Sequence, residues 1–281
     1  MKSLCSTAAA CLALVGGAAE AACGDDPGAC TLPGGSYHVV LPEGASSASP
    51  AVVFLHGFGS SGEGTLRNTG MVDALLARGY AVIAPDGQPR AQGQGRSWDF
   101  HPERPSTRDE GGFIRAVADD AAARFGLDRG DMLMSGFSIG GSMASYLACA
   151  APDSFRAYAP VAGNFWRPHP EACEGPVSLF HTHGWRDGTV PLEGRILGGV
   201  VQDDDFNGAV QGDVFVAMQI WRETDGCRLQ PDLHETRGEY QIRGWTSCDS
   251  GARLDFALHP GGHSVPPGWA DLALDWYEAL P

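Results

Sequence analysis

The chain has 281 residues, and its 19 Lys and Arg against 34 Asp and Glu give a formal net charge of -15. That sign disfavours a nucleic-acid backbone or an anionic membrane surface as a partner. The only lysine is Lys2, which removes phosphate loops ending in Gly-Lys-Ser/Thr, Schiff-base lysines and Ser-x-x-Lys acyl enzymes from consideration.

Read from the start, Met1-Lys2 followed by a small, apolar stretch from Leu4 to Gly17 and small residues around Ala21 has the pattern of an export signal. The run is too short to span a bilayer, and no later stretch is long enough. The expectation is a signal peptide over residues 1–22 and a single domain over 23–281, outside the cytoplasm, in the periplasm or the extracellular medium. Six cysteines follow the signal: Cys23, Cys30, Cys149, Cys173, Cys227 and Cys248. An even number suits an oxidising compartment, and pairing neighbours gives Cys23–Cys30, Cys149–Cys173 and Cys227–Cys248, one of fifteen connectivities. None of the pairs has the Cys-x-x-Cys spacing of a metal cluster.

Apolar runs then alternate with helical patterns. Strands are expected at Ser36–Leu41, Ala51–Leu55, Tyr80–Pro85, Asp131–Gly136, Ala157–Val161, Val177–Thr182 and Arg253–Leu258. Helices are expected at Thr65–Arg78, Glu110–Phe125 with Asp109 as its cap, Ile139–Ala150, near Asp213–Arg222, and at Trp269–Leu280. Such alternation implies parallel strands covered on both faces, a three-layer α/β sandwich. Residues 192–212 form a loop-rich excursion whose Asp203-Asp204-Asp205 reads as a solvated acidic run.

Gly136-Phe137-Ser138-Ile139-Gly140 fits Gly-x-Ser-x-Gly, a weak signal as a string in a chain with 39 glycines. Context strengthens it, because an apolar strand ends at Gly136 and a helical run begins at Ile139. That strand, sharp turn and helix project a serine hydroxyl above a sheet. A serine needs a base within hydrogen-bond reach and a third group to orient the base. His263, in the Gly-rich loop after the last strand, is the expected base, with His259 as the fallback. Asp187 follows the strand over Val177–Thr182 and lies between the serine and the histidine in chain order, so it is the expected acid. The amides of Phe58, after His56-Gly57, and of Ile139 are the expected oxyanion donors. His181-Thr182-His183 places two imidazoles on one strand face, yet no third metal ligand is at suitable spacing. A role in supporting the Asp187 loop is the favoured reading, and no metal or cofactor is expected.

Taken together, His56-Gly57, Arg96-Ser97-Trp98, Gly112-Phe113-Ile114, Gly136 to Met143, Ala159 to Gly163, His183-Gly184 with Asp187 and Val190-Pro191, Trp221, Gly226-Cys227, Cys248 and Gly261 to Ser264 form a recognisable string. The sequence resembles the polyhydroxybutyrate depolymerase and feruloyl esterase group of secreted α/β-hydrolases over nearly all of residues 23–281. The resemblance implies Ser138 as nucleophile, Asp187 as acid and His263 as base, and supports the Cys227–Cys248 bridge. Ile139 and the bulky Trp185 depart from residues common at those positions in the group.

The resemblance spans esterases for polyesters, feruloylated cell-wall sugars and acetylated xylan. Trp98, Trp166 and Trp185 are expected in loops bordering the site as substrate-binding aromatics, together with Phe58. The chain ends one helix after His263, which leads to an expectation of soluble or oligomeric esters. A serine peptidase on the same fold and a non-catalytic binder of sugar or polymer are the alternatives. Arg186, beside Asp187, is expected to pin loops near the site.

Overall fold

The computed structural model describes residues 22–198, 201–202, 205–206 and 209–281. The expected signal peptide, apart from Ala22, lies outside these residues, as do Asp203 and Asp204 of the acidic run. In chain order the main strands are β1 (Gly35–Val40), β2 (Ser49–Leu55), β3 (Ala81–Pro85), β4 (Leu127–Phe137), β5 (Ala157–Val161), β6 (Leu179–Gly184), β7 (Leu233–Arg237), β8 (Tyr240–Trp245) and β9 (Leu254–His259). The helices are α1 (Gly62–Leu66), α2 (Thr69–Ala77), α3 (Glu110–Phe125), α4 (Ile139–Ala150), α5 (Val214–Thr224) and α6 (Trp269–Glu278).

One sheet runs in the order β7-β8-β9-β6-β5-β4-β2-β3-β1, with short strands at Ala22–Cys23 and Asp26–Pro27 beyond β1. The six central strands from β9 to β3 pair in parallel, and β8 and β1 join them antiparallel. Burial on both faces explains why β2 and β3 read as nearly continuous apolar runs. Val53 and Leu55 of β2 enter one core with Phe113 of α3, Met143 and Leu147 of α4 and Val214 of α5. Val52 and Phe54, on the other face, join Val72 of α2 and Trp269, Leu272 and Trp276 of α6. The three-layer sandwich is therefore present, and its sheet is mostly parallel.

Each expected strand is found, with ends shifted by a few residues. Two features depart from the expectation. The helix read over Thr65–Arg78 is two helices, because Asn68, at φ -79° and ψ 71°, leaves helical geometry between α1 and α2. The hairpin β7–β8 was not anticipated: β8 alternates buried and exposed residues, and β7, at the sheet edge, has none fully buried, so both lack the long apolar run used to find the others. The three neighbour-paired disulfides, Cys23–Cys30, Cys149–Cys173 and Cys227–Cys248, are all formed.

Beside the last bridge, Asp225 ends α5 and is fully buried. Its Oδ1 accepts the Val177 amide at 3.0 Å, while Oδ2 has no partner among the described residues. Burial raises its carboxyl to about 7, against the opposing pull of the Val177 amide. The folded state therefore holds this proton more tightly than the unfolded chain does, so stability is full below the unfolded value and declines as pH rises from about 4 to about 7. Asp225→Asn keeps the acceptor and cannot ionise. It should melt at the native temperature near pH 4 and several degrees higher near pH 8, by on the order of 2–4 kcal/mol. An equal melting difference at both pH values would show that Asp225 does not titrate there.

Candidate active site

Ser138 occupies the turn between β4 and α4 at φ 58° and ψ -122°, a backbone conformation that side-chain-bearing residues rarely adopt. The turn is held by its own backbone, with the Ser138 amide donating to Val161 O at 2.9 Å and the Ser142 amide donating to Ser138 O at 2.9 Å. Glycine is required around it because a Cβ at Gly136 would strike Gly140, and one at Gly163 would strike the Ser138 carbonyl.

His263 comes from the loop between β9 and α6. Its Nε2 lies 2.9 Å from Ser138 Oγ and its Nδ1 lies 2.7 Å from Asp187 Oδ2, with the ring resting on Phe137. Asp187 is buried, and its Oδ1 accepts the amides of Thr189 and Val190, both at 2.8 Å. Burial alone would raise this carboxyl, but the hydrogen bond from His263 and the two amides outweigh it and hold the group below the usual carboxylate range. A carboxylate that stays ionised fixes the proton of His263 on Nδ1 and leaves Nε2 facing the serine hydroxyl. His259 does not reach the serine: its Nδ1 accepts the Gly261 amide at 3.1 Å.

The acid and base loops are joined by main chain. Beyond the paired ends of β6 and β9, the Trp185 amide donates to His259 O at 2.7 Å and the Arg186 amide to Gly261 O at 2.9 Å. Arg186 adds its Nε to Pro260 O at 2.7 Å, so it does bridge the two loops. Below them lie His181 and His183, both buried, with rings parallel to within 8°. His183 Nε2 donates to Val190 O at 2.8 Å and its Nδ1 accepts from His181 Nε2 at 3.0 Å. Burial lowers both imidazoles, which keeps this chain of donors and acceptors neutral. His183 Nε2 also stands 3.6 Å from Asp187 Oδ2.

On the opposite side, α4 begins at Ile139, whose amide is among the first-turn donors that have no partner within the helix. The Gly59 and Ser60 amides are engaged by Arg96 O and Gly57 O, at 2.8 and 3.2 Å, whereas Phe58 lies between them and Gly57. Sequence reasoning did not anticipate the brace under this segment. His56 donates from Nδ1 to Gly57 O at 2.8 Å, accepts the Gly87 amide on Nε2 at 2.9 Å, and accepts the Trp98 indole N–H on its carbonyl at 2.9 Å. The signal for it was the histidine beside Gly57 at a strand end.

A cavity of about 440 Å³ opens at Ser138, with Phe54, Phe58, Met71, Phe137 and Val265 among its walls and, among the described residues, no Asp, Glu, Lys or Arg. The three tryptophans expected as substrate-binding residues do not line it. Trp98 is 1% exposed, and its ring packs beside His56, so it supports the backbone behind the cavity. Trp166 packs its edge against Phe100 and lies under the Arg104 guanidinium, 5.2 Å from its centroid. Trp185, 65% exposed, belongs to a separate groove of about 660 Å³ with Phe215, Leu229 and Trp245. Phe58, 60% exposed, is the aromatic from the expected set that does border Ser138.

Comparison with known proteins agrees with this architecture. The family model described as alpha/beta hydrolase fold matches residues 50–201. A putative esterase, NocK, from Nocardia uniformis subsp. tsuyamanensis is 33% identical over 246 residues, covering 81% of this chain and 67% of that protein. The bifunctional acetylxylan esterase/xylanase XynS20E of Neocallimastix patriciarum is 25% identical over 254 residues, covering 86% of this chain but only 32% of its own length. Among solved structures, acetyl xylan esterase from Aspergillus awamori superposes with a TM-score of 0.62 at 16% identity, covering 87% of this chain and 94% of that one. Fold, family match and relatives agree that the chain belongs to the alpha/beta hydrolase family.

Proposed function

We propose that Ser138, His263 and Asp187 are the catalytic triad of an exported serine esterase, a single catalytic domain over residues 23–281. The observation that carries this reading is the continuous relay of 2.9 and 2.7 Å from Ser138 Oγ through His263 to Asp187. Membership of the family together with relatives that are esterases makes the chain a carboxylic ester hydrolase. His263 Nε2 removes the Ser138 proton as Oγ attacks the ester carbonyl, and Asp187 stabilises the imidazolium that forms. The amides of Phe58 and Ile139 receive the developing oxyanion, a contribution of about 2.7–4 kcal/mol per donor. His263 then returns its proton to the departing alcohol. Water, activated by the same imidazole, hydrolyses the acyl enzyme.

The uncharged cavity favours a neutral ester arm. That character is compatible with hydroxyalkanoate, feruloyl and acetyl esters of the kinds acted on by the resembled group, and it argues against a charged group at the reacting end. Three disulfides support an oxidising compartment, extracellular or periplasmic.

The native protein should hydrolyse p-nitrophenyl acetate and react with a fluorophosphonate probe. Ser138→Ala should lose the label and about four or more orders of magnitude in kcat. Full activity in that variant would overturn the assignment, and an unlabelled, inactive native protein would favour a binding module.

The buried imidazole pair gives a second test. His183 holds Val190 O while the Val190 amide holds Asp187 Oδ1, so removing the donor should let the acid drift from His263. His183→Leu should lower kcat by about 10- to 100-fold with KM little changed. His183→Gln, which places an amide N–H near the same carbonyl, should recover most of it. Equal losses in the two variants would mean that the donor does not position the acid.

A further inference from the structure

We infer that the cleft at Ser138 continues into a second hollow, and that the two together form an extended site for the longer arm of a neutral ester. This rests on the reading of Ser138 as the nucleophile of an ester hydrolase. The hollow has a volume of about 260 Å³ and lies between α2, the Pro266-Pro267 segment and the first turn of α6. It shares Asn68, Met71 and Val265 with the cavity at Ser138, so the two spaces are neighbours on either side of these residues.

Small side chains open this space. Gly70 and Ala74 are one helical turn apart on α2, on the same face, and both line the hollow. Gly70 is exposed at the mouth of the hollow, and a Cβ built on it meets nothing within 4 Å, so a longer side chain there has room to project. Asn68 stands at the junction as the capping residue of α2, yet its side chain makes no capping hydrogen bond, leaving a polar group available to a ligand. Trp269, another wall of the hollow, is 1% exposed, and its indole N–H has no acceptor among the described residues.

The charge of the site restricts what can enter. Among the described residues, the charged one lining the hollow is Asp271, whose carboxylate lies 3.9 Å from the Arg78 guanidinium, and the cavity at Ser138 carries no Asp, Glu, Lys or Arg. A slender neutral arm therefore fits both spaces. An arm ending in a carboxylate would meet Asp271 with no lining cation to pair with it. The ligand class is an ester of a neutral acid or alcohol whose chain is long enough to pass Asn68.

The test compares kcat/KM for p-nitrophenyl acetate, p-nitrophenyl octanoate and the mono-p-nitrophenyl ester of suberic acid, with ethyl and octyl acetate probing the alcohol side. The native protein should prefer the octyl chain over the short one by about tenfold or more in one of the two series. The suberate ester should fall below the octanoate. Gly70→Leu fills the hollow while removing a glycine from a helix, which favours folding, and Ala74→Phe fills it independently. Each should bring the long-to-short ratio close to one. Absence of a chain-length preference in the native protein, or a preference that both variants leave intact, would overturn the extended site while leaving the esterase reading in place. Hydrolysis of none of these esters would overturn both.

Discussion

The site depends on the register between two neighbouring parallel strands. Pairing of β6 with β9 places Gly184 opposite His259, and the hydrogen-bonded ladder continues past both strands through the amides of Trp185 and Arg186. Asp187 and His263 are therefore positioned by a sheet that is buried on both faces, although 76 residues separate them in sequence. Gly184 permits this approach, since a Cβ there would collide with the Gly262 carbonyl. Shifting the register by one residue would move every following side chain to the opposite face and separate the acid from the base.

A second layer of order surrounds that contact. His181 and His183 carry a directed series of hydrogen bonds toward the acid loop, while His56 does the corresponding work beneath Phe58. In each case burial favours the neutral imidazole, which can donate from one nitrogen and accept on the other. An imidazolium would lose its acceptor, so desolvation secures the hydrogen-bond pattern as well as the charge state. The chain carries a net charge of -15, yet none of the described residues walling the cavity at Ser138 is a carboxylate. Among the described residues, the carboxylate that reaches the Ser138–His263 pair is Asp187.

How much of this was legible in sequence varied with the range of the interaction. Ser138 was readable because its strand, turn and helix are local, and Gly136 and Gly140 mark the strained turn. Asp187 and His263 were readable from strand ends and chain order, which the parallel topology converts into proximity. The tryptophans were not, because three indoles in loops of similar composition have quite different surroundings: Trp98 is packed behind His56, Trp166 is held between Phe100 and Arg104, and Trp185 faces a separate groove. Neither the break at Asn68 nor the edge hairpin β7–β8 could be read from apolar periodicity, since one rests on a single backbone angle and the other on alternation with charged residues.

The joining of the acid and base loops by peptide groups has a consequence for divergence. Backbone amides and carbonyls are common to almost every residue, so a substitution at Thr189, which lines the cavity at Ser138, can alter its wall without removing the amide tie to Asp187. Proline is the exception at each donor position, because it has no amide hydrogen. The same loop can thus be resculpted for a new ester while its acid stays in register, which leaves substrate range and catalytic geometry free to change separately.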